Sequence, residues 1–270
     1  MKAALIGTGR WGNILKKYIP EYFNLKYVAD SKFNKDIIWK SDVEVVFIAT
    51  PVETHFDVAV DAILHRKHVF IEKPITPKKA QADSLKQLAI DKEVSIVIDY
   101  TETFSPSLQI IMHQINSGLV GDIENIEITI KKKDNRNVGF DVYHMLGSHG
   151  LSMLSMFTPL QNHKFTFSDY IKRKDICTTG VIEFENGKID VSLDSPIKER
   201  SITLHGSTGY VKYTSSQVTV NDRHYQIMDG NDNLLHTVKY FRDVIEGKAK
   251  SNIDIACQIT NILERFDNEK

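Results

Sequence analysis

Cysteine is nearly absent: Cys177 and Cys257, eighty residues apart, are the only two in 270 residues. That excludes a disulfide framework and any zinc site built from clustered thiolates. Charge of one sign is missing too, since 34 lysines and arginines face 35 aspartates and glutamates for a net charge of -1. No strong field is available to wrap nucleic acid or dock on a membrane, so an anionic partner must be held by a local patch. No apolar run approaches the roughly 18 residues of a membrane span, and the first residues lack the apolar stretch of a secretory signal. These absences lead us to expect a cytoplasmic protein without nucleic-acid or membrane partners. What is present, 41% apolar and 26% charged residues, suffices for two packed domains of ordinary size.

Three short apolar runs, "KAALIG", "NLKYVAD" and "DVEVVFIATP", end in a polar or turn residue and read as buried strands. Between the first two, "RWGNILKKYIPEYF" sets Trp11, Ile14, Leu15, Tyr18 and Ile19 on one helical face, which makes a βαβ unit. The alternation continues with a helix at "THFDVAVDAILHRK" and a strand at "HVFIEKP". A helix opened by Thr76 with Pro77 at its first position and a strand at "VSIVIDY" follow. Residues 1–100 therefore form a doubly wound parallel sheet, with ligands expected beyond the carboxyl ends of its strands. Only residues 31–42 separate the second strand from the third, so the sheet is expected to be trimmed.

After Tyr100 the pattern changes, and residues 101–270 are read as a second, α+β domain. It opens with a helix at "FSPSLQIIMHQINSG", a strand at "IENIEITIKKK" and a helix from about His144 to Phe157. Alternating residues from 163 to 228, with turn signals at "ENGK" and "GSTG", predict a large, open, mainly antiparallel, meandering sheet. Two closing helices, at 232–247 and 253–267, have the option of packing back on the first domain.

The stretch "GTGRWG" places Gly7, Gly9 and Gly12 directly after a strand and at the opening of a helix, and Asp30 ends the next strand 18 residues later. In that context the glycines serve a tight turn, close approach of a pyrophosphate, and close helix packing, with the helix N-terminus facing the phosphates. Asp30 would accept the adenosine ribose hydroxyls. Its charge repels a 2'-phosphate, which favours NAD over NADP, although Lys32 lies nearby. The cofactor-binding set is Gly7, Thr8, Gly9, Arg10, Trp11, Gly12, Asp30, Ser31, Thr50, Pro51, His55, Glu72 and Lys73. Thr54 is read as the cap of the helix that follows Pro51.

"FIEKPIT" is the second chemical stretch. A lysine followed by proline at the end of a buried strand is an odd choice for packing alone; a cis Lys73–Pro74 bond would bend the chain and aim the ammonium into the cleft above the sheet, although a strand-ending surface lysine is the plainer reading.

Taken together, "GTGRWG", "ATPVETH", "EKP", "FSP" with "INSGLVGDI", and "GSHGLSML" resemble the glucose-fructose oxidoreductase and inositol dehydrogenase family over nearly the whole chain. The resemblance implies an NAD-binding Rossmann domain followed by an open-sheet domain used for subunit pairing as a homodimer or homotetramer. It also implies that Lys73 and His149 line the nicotinamide and substrate as catalytic residues. "TETFSP" and "KKKDNRN" resemble the family's nucleotide-sugar branch, of the UDP-N-acetylglucosamine 3-dehydrogenase type in lipid A synthesis. That implies oxidation at C3 of a nucleotide-activated amino sugar, with an aminotransferase to consume the ketone. The family's usual aspartate four residues before the histidine is Met145 here, which leaves Asp141, Tyr143, His144 or Lys73 to complete the proton relay.

An alcohol oxidation needs a hydride acceptor, which NAD supplies, and a base for the hydroxyl proton. His149 suits that near neutrality, and Lys73 beside a positive ring can donate to the developing alkoxide or share the proton. Lys133 and Arg136 are the candidates for a substrate diphosphate, since guanidinium matches phosphate oxygens in pairs. Tyr100, Asp141, Tyr143 and His149 complete the substrate set, although core packing is the plainer account of the two tyrosines. His144 and His149, five apart, miss the spacing that aligns two ligands on an α-helix, and no metal is expected. Two alternatives remain: reduction of a keto sugar or imine, and a cofactor-binding regulatory protein with impaired catalysis.

Overall fold

The computed structural model describes residues 1–134, 141–214, 217–226 and 232–269. They form two compact units, Met1–Thr101 with Asp232–Glu264, and Glu102–Asn231 with Arg265–Lys270.

The first unit is built on strands β1 (Lys2–Ile6), β2 (Asn24–Ala29), β3 (Val45–Ile48), β4 (His68–Glu72) and β5 (Ile96–Asp99). All pair in parallel in the order β2-β1-β3-β4-β5. The β-branched and aromatic "VVFI" of β3 is buried along its whole length, as a central parallel strand between two helical layers requires. Helices α1 (Arg10–Tyr18), α2 (Asp36–Trp39), α3 (His55–Leu64) and α4 (Lys79–Lys92) connect the strands. A four-residue α2 is all that lies between β2 and β3, so the sheet is trimmed as expected. The start of α4 differs from expectation. Thr76 spends its hydroxyl on the Lys78 carbonyl at 2.9 Å and Lys78 is extended, so the helix begins at Lys79 rather than beside Thr76.

The chain then returns to the first unit with α7 (Asn233–Ile245) and with α8 (Ile253–Glu269) as far as Glu264. Phe241 of α7 packs on Phe23, Phe47 and Phe70 with ring centroids 5.5–5.8 Å away, so α7 completes the core over β1, β3 and β4. At the sheet's edge Asn252 acts as a one-residue strand. Its Oδ1 accepts the Ile98 N–H at 2.9 Å and its Nδ2 donates to the Ile98 carbonyl at 2.7 Å.

The second unit carries α5 (Pro106–Asn116), α6 (Ser148–Leu154) and an eight-stranded sheet. Its strands are β6 (Ile123–Lys133), β7 (Thr166–Arg173), β8 (Ile176–Phe184), β9 (Gly187–Ser192), β10 (Asp194–Gly206), β11 (Gly209–Thr214), β12 (Gln217–Val220) and β13 (Arg223–Gln226). The order is β13-β12-β11-β10-β6-β9-β8-β7, mainly antiparallel. It is not a simple meander, because β6 inserts between β9 and β10 and runs parallel to β9. The reason is local. "ENGK" and "GSTG" supply hairpin turns, but Leu193 alone separates β9 from β10, too short for a two-residue reversal. The chain instead crosses the end of β6, where Asp134 N–H donates to the Leu193 carbonyl at 2.9 Å. Among the described residues no helix is long and apolar enough to cross a membrane.

Candidate active site

In the first unit the candidate residues stand at the carboxyl ends of the strands. Gly7 follows β1 with φ +110°, and a Cβ there would lie 2.3 Å from the Ala49 carbonyl oxygen. Its N–H donates to Ala29 O at 2.8 Å, which ties the turn to the end of β2. Gly12 is equally confined, since its Cβ would stand 2.0 Å from Gly7 O. Gly9 is the opposite case: a Cβ there would meet nothing within 4 Å. It is also the N-cap of α1; among the described residues no side chain caps the helix, and no acidic residue lies in its first turn. The open backbone beside uncapped helix N–H groups fits a dinucleotide's pyrophosphate. When bound, NAD would supply the hydride acceptor. Thr8, Arg10 and Ser31 are exposed around the turn, as is Asp30, whose Oδ1 accepts the Lys32 N–H at 2.9 Å.

Thr50 and Pro51 follow β3, the first partly exposed and the second exposed. Thr54 occupies the N-cap position of α3 but does not cap it; its hydroxyl contacts Thr50 Oγ1 and Pro51 O, each at 2.8 Å. His55 is buried, with Nδ1 2.9 Å from Pro74 O and Nε2 2.9 Å from Thr50 O. Burial pushes its pKa down against the pull of those carbonyls, and the neutral ring donates to one of them. Both nitrogens are turned inward, so His55 meets the backbone of β3's end and of the Lys73–Pro74 turn. That turn follows β4, its peptide bond is cis, and Lys73 is half-buried.

Sequence reasoning missed Asp99. It ends β5 opposite Glu72 in register and is 1% exposed, and it accepts the Trp11 indole N–H at 3.3 Å. Trp11 leaves the apolar face of α1 to make this contact and is 38% exposed, whereas Leu15 and Ile19 stay buried. Only the strand-end position of Asp99 in "VSIVIDY" signalled it. Tyr100 is fully buried, and burial raises its phenol's pKa, so it belongs to the core rather than to a substrate surface.

In the second unit a π-helical turn, Tyr143–Gly147, runs into α6. Asp141 opens it: Oδ1 accepts the N–H groups of Tyr143 and His144, each at 3.0 Å, and lies 3.0 Å from His144 Nδ1. His144 Nε2 lies 3.3 Å from Asp267, so the ring is bracketed by two carboxylates. Asp141, His144 and Asp267 bring one ligand-type atom each within 4.8 Å of the others, a grouping that sequence spacing did not anticipate. The π turn shifts helical phase by one residue, so four-residue spacing does not order the side chains on either side of it. Met145 sits in this turn, and its N–H donates to Asp141 O at 3.1 Å.

His149 lies in the first turn of α6 and is partly buried; its carbonyl accepts the Ser152 hydroxyl at 2.8 Å. Tyr143, offered as a substrate contact, is fully buried between Phe167 and Phe266, and its hydroxyl donates to Ser168 O at 2.9 Å. Gly180 of β8 makes room for it, since a Cβ there would stand 2.0 Å from that hydroxyl. Lys133 is exposed at the end of β6, while Lys131 pairs with Asp190 at 2.8 Å and Lys132 with Asp134 at 3.2 Å. Arg136 lies outside the described residues.

Residues 15–100 match the family model GFO/IDH/MocA, described as an oxidoreductase family with an NAD-binding Rossmann fold. The uncharacterized oxidoreductase sll0816 of Synechocystis is 31% identical over 94 residues, 35% of this chain and 25% of that protein, so the chain spans about a quarter of that relative's length. Two solved structures share the architecture. UDP-N-acetylglucosamine 3-dehydrogenase GnnA from Acidithiobacillus ferrooxidans has a TM-score of 0.85 at 19% identity, covering 97% of this chain and 94% of its own. GenD2 from gentamicin A biosynthesis, in complex with NAD, has a TM-score of 0.84 at 17% identity, covering 98% and 92%. At these identities the likeness is one of fold.

Proposed function

We propose, from the premise that its first unit belongs to the oxidoreductase family with an NAD-binding Rossmann fold, that this protein oxidises a ring hydroxyl of a nucleotide-activated sugar with NAD. The substrate in this reading is an amino sugar such as UDP-N-acetylglucosamine, oxidised at C3, and an aminotransferase consumes the 3-keto product. The observation that carries it is the glycine turn: Gly7 and Gly12 are closed by backbone, while Gly9 between them is open. That arrangement leaves one peptide of the turn free for an anionic ligand at the N-terminus of α1.

Asp30, exposed at the end of β2, supports NAD rather than NADP. When bound, the coenzyme would accept the hydride from the C–H bond, which leaves the hydroxyl proton for the protein to take. His149 takes that proton, and Lys73 donates a hydrogen bond to the developing alkoxide. Lys133 or Arg136 holds the diphosphate, and the protein works in the cytoplasm as a homo-oligomer.

Purified protein incubated with NAD and UDP-N-acetylglucosamine is expected to develop reduced-nicotinamide absorbance, most strongly with an amine donor and aminotransferase present. Lys73→Ala and His149→Ala should each lower kcat by about 10²–10⁴-fold while leaving coenzyme affinity within a few-fold. No reduction with any UDP-sugar would remove the substrate assignment, and unchanged kcat in both variants would remove the catalytic one. Rates measured in both directions on matched substrates separate oxidation from keto-sugar reduction.

A further inference from the structure

Glu72 and Asp99 end adjacent parallel strands in register, and the Asp99 carboxyl acts on that of Glu72 through both its charge and a hydrogen bond. Two carboxylates only accept, so this contact needs a proton on one of them. The surroundings reinforce it. Asp99 is 1% exposed, and Glu72 Oε1 is shut off from solvent and takes no N–H or hydroxyl donor among the described residues. Each carboxyl has one oxygen already held by an N–H, the Trp11 indole on Asp99 Oδ2 at 3.3 Å and the Lys73 backbone on Glu72 Oε2 at 3.1 Å. Desolvation first, and then the charge of Asp99, push the Glu72 carboxyl well above the usual carboxylate range, while the charge of Lys73 pulls it down.

We propose that Glu72 and Asp99 hold one proton between them at neutral pH, and that their single remaining negative charge is a fixed counter-charge at the reactive end of the coenzyme site. The pair is a positioning element. Trp11 and the Lys73 backbone anchor it from two sides, so that charge, glycine turn and lysine move as one assembly. The second half of the inference rests on the proposed coenzyme reading. A nicotinamide ring is positive when oxidised and neutral when reduced, so one fixed negative charge favours binding of the oxidised coenzyme over the reduced one.

Infrared spectroscopy of the full-length protein tests the shared proton without any activity. Native protein at neutral pH should show the carbonyl stretch of a neutral, buried carboxylic acid, and Glu72→Gln and Asp99→Asn should each abolish it. Absence of that band in native protein, or its survival in both variants, overturns the proposal. Either single variant still leaves one carboxylate, and the Glu72→Gln/Asp99→Asn double variant leaves none. The ratio of NAD to NADH dissociation constants should therefore stay within about twofold in the singles and shift about tenfold toward NADH in the double variant. An unchanged ratio in the double variant overturns the counter-charge. Failure of native protein to bind either coenzyme refutes the coenzyme reading and the counter-charge with it, while the infrared band still decides the shared proton.

Discussion

Substituting alanine at Gly9 and at Gly12 should separate ligand binding from folding. Gly9 has φ -66° and ψ -173°, extended backbone that alanine adopts, and its Cβ would meet nothing within 4 Å. Stiffening the unfolded chain contributes about 0.4–1 kcal/mol, and a poorer N-cap costs a similar amount, so stability should stay within about 1 kcal/mol. For a protein of this size that is a Tm change under about 4 °C. The new methyl occupies the space that a pyrophosphate needs, so the Kd for NAD should rise at least about tenfold, or about 1.4 kcal/mol. At Gly12 the Cβ would stand 2.0 Å from Gly7 O and 2.9 Å from Gly7 C, both backbone atoms that cannot rotate away. Relief by shifting α1 should cost about 1–3 kcal/mol, seen as a lower midpoint in thermal or urea unfolding. Calorimetric titration with NAD and melting curves on both variants are sufficient. If Gly9→Ala folds and binds NAD with native affinity, the coenzyme does not cross this turn and the glycines serve packing alone.

Asn252→Ala should cost about 1–3 kcal/mol, because the buried Ile98 N–H loses its acceptor and the Ile98 carbonyl keeps only the Tyr100 N–H, at 2.9 Å. Faster amide exchange at Ile98 would accompany the loss, and native-like protection would refute the edge-pairing role. His55 makes the fold pH-sensitive in a defined direction. Burial holds its pKa below the ordinary 6.5, so the unfolded chain takes up its proton first and stability is lost as pH falls below about 6.5. Urea midpoints of native protein should drop more steeply between pH 6.5 and 5 than those of His55→Gln; equal slopes would show that the ring is not buried neutral.

The parallel half was legible because its central strands are apolar runs and its longer helices carry apolar faces, so the βαβ order through "VSIVIDY" could be read directly, without the four-residue α2. The place of β6 was not, since its partners β9 and β10 follow it by more than fifty residues and only the missing turn at Leu193 hints at the crossing. The glycine turn and the Lys73–Pro74 bond were visible because each breaks a local rule of its strand. The Glu72 and Asp99 contact was hidden, because register between β4 and β5 is a tertiary fact. The π turn was hidden as well, because Asp141 creates it by collecting two backbone N–H groups and a ring nitrogen, and no residue spacing announces an extra residue in a helix. The tyrosines were legible as core: an aromatic beside chemically suggestive residues invites a binding role, yet packing was the plainer account, and Tyr143 fills the space that Gly180 leaves.

The packing of Phe241 on Phe23, Phe47 and Phe70 bears on how the chain matures. As it leaves the ribosome, the first unit's sheet is complete by Asp99, but one of its faces still lacks the phenylalanine that seals it, 140 residues after Thr101. The intervening unit must be synthesised while that aromatic surface waits in water. A nascent chain stalled in this interval is a client for a hydrophobic-binding chaperone, and a gene cut at residue 101 encodes an open half-core rather than a free-standing nucleotide-binding module.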